Sequence, residues 1–402
     1  MQKQTVRDVG RRLKGKRVLM RADFNVPLDE NGVITDDTRI TETLPTIHYI
    51  LERGGRLILC SHLGRPKGGP DPKYSLAPVA KRLSELLGQD VRVLPDWIGA
   101  DAVKEVTSEL EDGQICLLEN VRFHPGETKN DPDRSKELAE LGEIFVNDAF
   151  GSAHRAQCSV SGVTEFIKAK GGPCVGGFLL EKEIEFLVQA IETPERPFLA
   201  IMGGAKISGK IEVIRNLLNQ VDGILIGGAM AYTFLKAKGV PVGRSLVEDE
   251  CLDVANETLD AVKSRGLTFL LPQDHLVAPE VNEGACATAT SGIEIPGDQC
   301  GVDIGPKTIA AYKREIAKAK TIVWNGPMGV FEIEAFSKGT VAIAQALAES
   351  GAKTIVGGGD SVSAVNKAGV ADRISHISTG GGASLELLEG KELPGLVSLS
   401  DR

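Results

Sequence analysis

Short apolar runs alternate along the chain with segments in which apolar residues recur every three or four positions. The runs predict β-strands, and the longer segments predict helices with one face in a core. Several helical segments end at a glycine, as C-caps commonly do: Gly88, Gly239, Gly351 and Gly369. This alternation is typical of α/β folds with parallel sheets. The predicted strands are residues 17–20, 56–60, 115–118, 144–146, 198–202, 223–226, 268–271, 321–324, 354–356 and 374–378, and the predicted helices include 76–87, 134–141, 210–219, 229–238 and 340–349.

A break in the pattern near residue 177 divides the chain. Two glycine-rich stretches, at residues 171–173 and 176–177, interrupt it before one amphipathic segment at 178–191, and residues 193–197 interrupt it again with two prolines. We therefore expect an N-terminal domain at residues 1–177, a connecting helix at 178–192 and a C-terminal domain at 193–389. Residues 390–402 are too few for a domain and are expected to pack back on a neighbour.

Composition excludes several classes of function. The 402 residues are 42% hydrophobic and 25% charged, as in ordinary globular proteins, and carry a net charge of −9. Broad binding to nucleic acid or to an anionic membrane is not expected, because it needs a basic surface. Seven cysteines without a C-x-x-C pair favour reduced thiols and a cytoplasmic protein. We expect neither a signal peptide nor a membrane span, since no apolar run reaches roughly 18 residues.

Glycine follows five predicted strands of the second half, at the strand ends where open parallel sheets bind ligands. Three glycines, Gly357 to Gly359, let the backbone approach a bulky anion, and a helix behind them aims N–H groups at it. Asp360 in the same turn would hold a Mg²⁺ that the phosphate also binds. The alternative is that the glycines only allow packing and that Asp360 caps the helix. The five ends together favour a nucleotide site; the other four carry Gly203-Gly204, Gly227-Gly228, Gly326 and Gly380-Gly381-Gly382.

Lys206 and Lys210 follow the first of these strands and are candidate phosphate-binding cations. They lie four residues apart and would share one face of a helix. Residues 204–210 also match the G-x-x-x-x-G-K pattern of a P-loop, but Ile211 stands where a P-loop needs Ser or Thr for Mg²⁺, which makes that match weak. Glu332 is a candidate for binding ribose hydroxyls, with a plain surface role as the alternative.

The strand ends of the first half carry arginine instead of glycine. Guanidinium groups bind carboxylate and phosphate in bidentate fashion, so several in one cleft would suit a small molecule with two or three negative charges. Any single arginine could instead be a surface ion-pair partner, and Arg21 is the weakest candidate. The arginines on or near these ends are Arg21, Arg39, Arg65, Arg122 and Arg155.

Other polar residues at these ends fit the same site. His62 could donate to a carboxylate or phosphate, although a structural histidine is an equal alternative. Asp23 and Asn25 fit hydroxyl recognition or the orientation of a neighbouring arginine. No Ser-His-Asp arrangement is recognisable. That absence fits phosphoryl transfer, in which positioning and charge neutralisation do most of the work.

The motifs at these strand ends resemble those of the phosphoglycerate kinase family, in order, from near residue 17 to near residue 390. The resemblance implies reversible transfer of a phosphoryl group from 1,3-bisphosphoglycerate to ADP, giving 3-phosphoglycerate and ATP, with Mg²⁺. It also implies a monomer of two Rossmann-like domains that close by hinge bending, with the tail at 390–402 on the N-terminal domain. The matching motifs are Arg21-Ala22-Asp23-Phe24-Asn25, Ser61-His62-Leu63-Gly64-Arg65, Glu119-Asn120-Val121-Arg122, Asn147-Asp148 with His154-Arg155, Gly203-Gly204-Ala205-Lys206, Trp324-Asn325 with Glu332, and Gly357-Gly358-Gly359-Asp360-Ser361.

The resemblance implies roles for individual residues. Arg39, Lys206 and Lys210 would be catalytic, steadying the phosphoryl group during direct in-line transfer, and Asp360 would serve the metal. The residues implied for phosphoglycerate are Asp23, Phe24, Asn25, Arg39, His62, Leu63, Gly64, Arg65, Arg122 and Arg155. Those implied for the nucleotide are Lys206, Gly227, Gly228, Gly292, Asn325, Glu332, Gly358, Gly359, Asp360 and Ser361.

Two other classes of protein fit the pattern less well. A nicotinamide-dependent dehydrogenase would carry G-x-G-x-x-G after its first strand, whereas this strand runs into Arg21-Ala22-Asp23. A nucleotide-binding regulator without catalytic activity would not need the arginines. An assay with 3-phosphoglycerate and ATP distinguishes all three.

Overall fold

The computed structural model describes residues 3–95 and 108–402. The chain forms two compact units, one from Met1–Glu185 together with Glu392–Arg402 and the other from Phe186–Lys391. Each unit is built on its own six-stranded parallel sheet, so the predicted α/β class is confirmed.

The sheet of the first unit contains the four strands predicted there and two short ones, β3 and β6, that were not predicted. Its strands are β1 (Arg17–Ala22), β2 (Arg56–Cys60), β3 (Arg92–Leu94), β4 (Ile115–Leu118), β5 (Ile144–Asp148) and β6 (Cys174–Gly176). They run parallel in the order β3-β4-β2-β1-β5-β6. The helices described up to the unit boundary are α1 (Thr38–Thr41), α2 (Leu44–Leu51), α3 (Ala77–Leu87), α4 (Pro132–Glu140), α5 (Val163–Ala169) and α6 (Phe178–Glu183).

The strands of this sheet are apolar along their length because both of its faces are covered. Val18 and Met20 of β1 lie on one face and Leu19 on the other, and all three side chains are fully buried. A sheet buried on both faces needs continuous apolar strands rather than an alternating pattern. This explains why such short runs identified the strands in the sequence.

The second unit also has a parallel sheet, in the order β15-β14-β13-β7-β8-β9. Its strands are β7 (Phe198–Met202), β8 (Gly223–Ile226), β9 (Thr268–Leu270), β10 (His275–Ala278), β11 (Thr288–Ala289), β12 (Cys300–Ile304), β13 (Thr321–Asn325), β14 (Lys353–Gly357) and β15 (His376–Ile377). Its helices in the described residues are α7 (Gln189–Glu192), α8 (Ile211–Leu217), α9 (Met230–Ala237), α10 (Leu252–Arg265), α11 (Pro306–Ile316), α12 (Lys338–Glu349), α13 (Gly359–Lys367) and α14 (Gly382–Leu388).

A small antiparallel sheet, β11-β10-β12, adds to the second unit and was not predicted. Strand β11 has only two residues, both exposed, so it leaves no apolar run in the sequence. The predicted glycine C-caps are confirmed, because Gly88, Gly239, Gly351 and Gly369 all have φ between 66° and 78°.

The residues between the two sheets form a helical run. Helix α6 continues through a π-helical turn, Ile184–Val188, into α7, and the unit boundary falls within this run. The run begins beside β5, where the amide of Leu180 donates to Asp148 Oδ1 at 3.0 Å. The carboxylate of Asp148 therefore satisfies a free N–H group at the start of α6.

The C-terminal residues belong to the first unit. In α15 (Pro394–Val397), the amide of Gly395 donates to the carbonyl of Ala153 at 2.8 Å, and after this helix the amide of Ser400 donates to the carbonyl of Cys174 at the same distance. Leu393, Leu396 and Leu399 are buried. Across the described residues, no helix combines the length and apolar character that a membrane crossing needs.

Candidate active site

The carboxyl ends of β1, β2 and β4 lie level in the first unit, because Arg21 pairs with Cys60 and Leu59 with Leu117. The loops after these strands therefore meet at one edge of the sheet. Side chains in and beside these loops make three contacts at this edge. Arg39 forms an ion pair with Asp23, Asn25 Oδ1 accepts from the amide of Gly64 at 2.8 Å, and Arg122 Nη1 donates to the carbonyl of Gly64 at 2.8 Å.

Three of the predicted arginines line one cavity of about 590 Å³ beside these loops. Arg65, Arg122 and Arg155 share it with Lys67 and Lys129. Its lining residues include no carboxylate. We call this cavity and the neighbouring residues Asp23, Asn25, Arg39 and His62 the arginine site. A concave surface with this excess of positive charge fits a small anion with several charges.

The arginines shape the ionisation of their neighbours. Burial, followed by Arg21 and Arg155, lowers the pKa of Arg122 to about 10, and the group remains charged at neutral pH. Burial alone would raise the pKa of Asp23, but His62, Arg39 and Arg21 outweigh it, and the pKa is lowered. Asp23 is therefore an ionised partner for Arg39.

Three other residues predicted for this site contribute through the backbone. The side chains of Phe24 and Leu63 are buried in the hydrophobic core of the first unit, so only their backbone groups can face a ligand. Gly64 has φ of +61°, and a Cβ there would lie 2.4 Å from the ring of Tyr74. Glycine is required at this position by both conformation and space.

In the second unit, backbone hydrogen bonds join the loops after β7, β8 and β13 to one another. The amide of Gly204 donates to the carbonyl of Pro327, and the amide of Gly228 donates to that of Met328, both at 2.9 Å. A Cβ on Gly228 would lie 2.4 Å from the amide nitrogen of Gly204. Glycine is therefore needed here for close approach of two loops, which is the structural alternative considered for these residues.

A cavity of about 450 Å³ opens beside these loops. Gly204, Gly228, Glu332 and Asp360 line it, and Asp360 lies exposed in the first turn of α13. We call this cavity, with Lys206 and Lys210, the glycine site. It joins glycine backbone, a helix start and a carboxylate, the combination that the sequence predicted for a nucleotide with its metal.

Lys210 is partly buried and, like Lys206, is not among the residues that line the cavity. Its ammonium donates to the carbonyls of Gly203 at 2.6 Å and Asn325 at 3.0 Å. Burial lowers the pKa of Lys210 to about 8, and the Asp360 carboxylate opposes that shift. Lys206 lies exposed in the loop after β7.

The remaining predicted nucleotide residues differ in their positions. Asn325 and Ser361 are buried and hold loop backbone: Asn325 Nδ2 donates to the carbonyl of Gly357 at 2.9 Å, and Ser361 Oγ accepts from the amide of Gly326 at 2.6 Å. Gly292 is not among the residues that line the cavity. Gly227, Gly358 and Gly359 are likewise not among them, although Gly227 directly precedes Gly228 and Gly359 directly precedes Asp360, which both line the cavity.

Comparisons with known proteins identify the family of the chain. The sequence profile of the family described as phosphoglycerate kinase matches residues 6–391. The chain belongs to the phosphoglycerate kinase family. It is 58% identical to the phosphoglycerate kinase of Chlorobium phaeobacteroides (strain BS1), with 100% of both chains covered. Among solved structures it is similar to the phosphoglycerate kinases of Coxiella burnetii (TM-score 0.88, 46% identity, 96% of each chain) and Pyrococcus horikoshii OT3 (TM-score 0.82, 34% identity, 98% of each chain).

Membership of the phosphoglycerate kinase family confirms the predicted activity, a phosphotransferase with a carboxyl group as acceptor. Its substrates are the small molecules phosphoglycerate and ATP or ADP. The dehydrogenase and the non-catalytic regulator are thereby excluded.

Several lining residues of the glycine site were missed from the sequence. Leu246 and Val281 are large apolar residues that line the cavity and are 56% and 52% exposed, so they offer apolar surface to a ligand there. Neither residue lies in one of the glycine-rich segments directly after a predicted strand, so the sequence pattern did not indicate them. The others come from α9, β12 and adjoining loops, and include Tyr232, Arg244, Cys300 and Val302.

Proposed function

We propose that the chain transfers the terminal phosphoryl group of ATP directly to the carboxylate of 3-phosphoglycerate, and back, by in-line displacement. One observation carries this proposal: two parallel sheets present complementary strand-end chemistry, arginine on one and glycine with lysine and aspartate on the other. An acyl phosphate donor and a nucleotide acceptor are both anionic, and each needs a site whose cations and N–H groups bind its negative charges.

The arginine site is proposed to hold phosphoglycerate. Arg65, Arg122 and Arg155 would bind its phosphate, and His62, Asp23 and Asn25 its carboxylate and hydroxyl groups. Supporting this division are the carboxylate-free lining of the cavity and the ionised state of Asp23, which suits a hydroxyl donor. Arg39, the most exposed part of the Asp23–Arg39 pair, would contact the transferring phosphoryl group.

The glycine site is proposed to hold the nucleotide with Mg²⁺. Asp360 fits the metal because Mg²⁺ takes oxygen ligands and is usually held by one or two carboxylates together with phosphate. Bound Mg²⁺ would neutralise charge on the transferring phosphate. Glu332 would accept from ribose hydroxyls, Lys206 and Lys210 would bind the phosphates, and the N–H groups at residues 358–361 would bind phosphate oxygens. Gly227, Gly292 and Asn325 would shape the surrounding pocket.

The metal role has a direct calorimetric test. Asp360→Ala should weaken binding of ADP in the presence of Mg²⁺ and leave binding of ADP with EDTA unchanged. Equal titrations for both proteins with Mg²⁺ would contradict a metal role for Asp360.

Transfer between the two sites requires hinge closure, which also keeps water from the acyl phosphate. We propose that the helical run at residues 178–192 belongs to the hinge. Small-angle scattering should then show a smaller radius of gyration with both ligands bound than with either alone. An unchanged radius would count against closure.

The activity is tested by mixing the purified chain with 3-phosphoglycerate and MgATP and following ADP. ADP should form only when both substrates are present. ADP formation without phosphoglycerate, or binding of ATP without turnover when both substrates are present, would contradict direct transfer to phosphoglycerate. We further propose that the chain is a monomer in the cytoplasm; its seven cysteines are free thiols, as in reducing compartments.

A further inference from the structure

A buried arginine contacts the arginine site without lining its cavity. Arg21, near the end of β1, has no exposed surface. Its Nε donates to Ser159 Oγ at 2.9 Å, its Nη1 to the carbonyl of Ala22, and its Nη2 to His62 Nδ1 at 2.9 Å and Ser152 Oγ at 3.4 Å. A buried guanidinium with this many fixed contacts cannot move to meet a ligand.

The charge of Arg21 is balanced behind it, away from the cavity. Ser159 Oγ donates its single proton to Glu127 Oε1 at 2.6 Å and therefore accepts from Arg21. The amide of Ser159 donates to Glu127 Oε2 at 3.1 Å, and Glu127 is 1% exposed. Glu127 and Ser159 thus fix both the position and the direction of the guanidinium.

The contact with His62 determines where the imidazole proton lies. A guanidinium can only donate, so His62 Nδ1 must accept and carries no proton. A neutral imidazole then has its proton on Nε2. Among the described residues, none accepts a hydrogen bond from Nε2, which leaves this N–H for a ligand.

We propose that Arg21 is a positioning residue, which holds His62 neutral with its proton on Nε2 so that it donates to the anionic substrate. This rests on the proposed role of His62 in binding phosphoglycerate. Arg21 would thus act on substrate binding without touching the substrate.

The charges around His62 support the neutral state. Burial and then Arg21 lower the pKa of His62 well below its usual value, Arg122 and Arg155 act in the same direction, and Asp23 opposes them. His62 would therefore present the same donor at every pH between about 6 and 8.

The proton position can be measured in the ligand-free protein by NMR with ¹⁵N-labelled histidine. The chain has six histidines, and the spectrum of His62→Gln assigns the signals of His62. We expect an unprotonated Nδ1 and a protonated Nε2 that do not change between about pH 6 and 8. A proton on Nδ1, or titration within that range, would overturn the proposal. This measurement needs no turnover, so it stands or fails separately from the proposed function.

Arg21→Met should release the constraint. The pKa of His62 should rise, and the KM for 3-phosphoglycerate should rise about tenfold at pH 8, then approach the wild-type value toward pH 6 as His62 becomes charged and donates again. A purely structural defect would raise KM equally at each pH and would overturn the proposal.

Two further variants complete the test. Arg56→Met removes an arginine from the start of β2 and should leave the histidine spectrum and KM unchanged. If Arg21→Met does not fold, Ser159→Ala should loosen Arg21 and bring part of the same change in the His62 spectrum. Unchanged His62 signals in a folded Ser159→Ala protein would contradict the role of the network.

Discussion

Arg39 is the residue of the arginine site at which a catalytic role and a binding role predict different kinetics. Its ion pair with Asp23 fixes one side of the guanidinium, while its side chain remains 38% exposed. A cation that engages only the transition state raises kcat, whereas one that binds substrate and transition state alike changes KM. Its exposure at the arginine site fits the first behaviour.

We expect Arg39→Ala to lower kcat by about 10²–10³-fold and to change the KM for 3-phosphoglycerate by less than about threefold. Steady-state kinetics with each substrate varied in turn would measure both. Arg82→Ala is the matched control, since Arg82 forms exposed ion pairs with Asp37 and Glu85 and should have wild-type kinetics. A variant of Arg39 that changed KM alone would make it a binding residue only.

The lowered pKa of Lys210 predicts a pH dependence of activity. Lys210 is charged below about pH 8 and neutral above it. Since kcat/KM reports groups of the free enzyme, kcat/KM for MgATP should fall above pH 8, approaching tenfold per pH unit. Lys210→Arg keeps its charge throughout and should lose this fall, even if its overall rate is lower. A flat wild-type profile up to about pH 9.5 would exclude Lys210 as the controlling group.

At the scale of elements, the glycine site depends on loops that pack backbone against backbone. Gly228 has φ of +68°, and a Cβ would meet the backbone of Gly204. Gly228→Ala should therefore shift the loop and weaken MgADP binding about 10–100-fold, from a strain of about 1–3 kcal/mol. Gly209→Ala is the control, because nothing lies within 4 Å of a Cβ there and its φ is not positive. Calorimetry showing equal affinity for the two variants would contradict this account.

The elements that the sequence could predict share one physical cause. Strands β2, β7 and β8 were predicted with their exact bounds because a parallel sheet covered on both faces demands continuous apolar runs. Strands β10 and β12 pair antiparallel at a distance along the chain and leave no such run. Leu246 and Val281 were missed for the same reason: pairing and packing, not local pattern, bring them to the glycine site.

In the arginine site, too, the sequence predicted residues near strand ends but not contacts between residues distant along the chain. Arg65 and Arg122 could be predicted because they lie in the segments that follow β2 and β4, and both line the cavity. The role of Arg21 could not, since its burial and its contact with His62 depend on Ser159, 138 residues away. Composition did not indicate this site either, because the chain has a net charge of −9 while the lining of the cavity is basic.

At the scale of the whole molecule, the C-terminal residues Glu392–Arg402 belong to the first unit, although they follow the second unit in sequence. Lys3 pairs with Asp401 at 2.7 Å, and the amide of Gln4 donates to the carbonyl of Ser400 at 2.9 Å. Asn147 Nδ2, within the buried strand β5, donates to the carbonyl of Gly395 at 3.1 Å. The first unit therefore cannot complete its contacts until the last residues of the chain are present.

Deleting residues 393–402 should destabilise the first unit selectively. The deletion removes the buried side chains of Leu393, Leu396 and Leu399, each worth about 2–5 kcal/mol, more than half the stability of a typical domain. Thermal unfolding should show an early transition that 3-phosphoglycerate no longer shifts, while MgADP, whose proposed site lies wholly in Phe186–Lys391, still raises the later one. Val397→Ser changes an exposed residue of the same segment and should behave as wild type. Equal loss of both ligand responses would show instead that the tail supports the two units together.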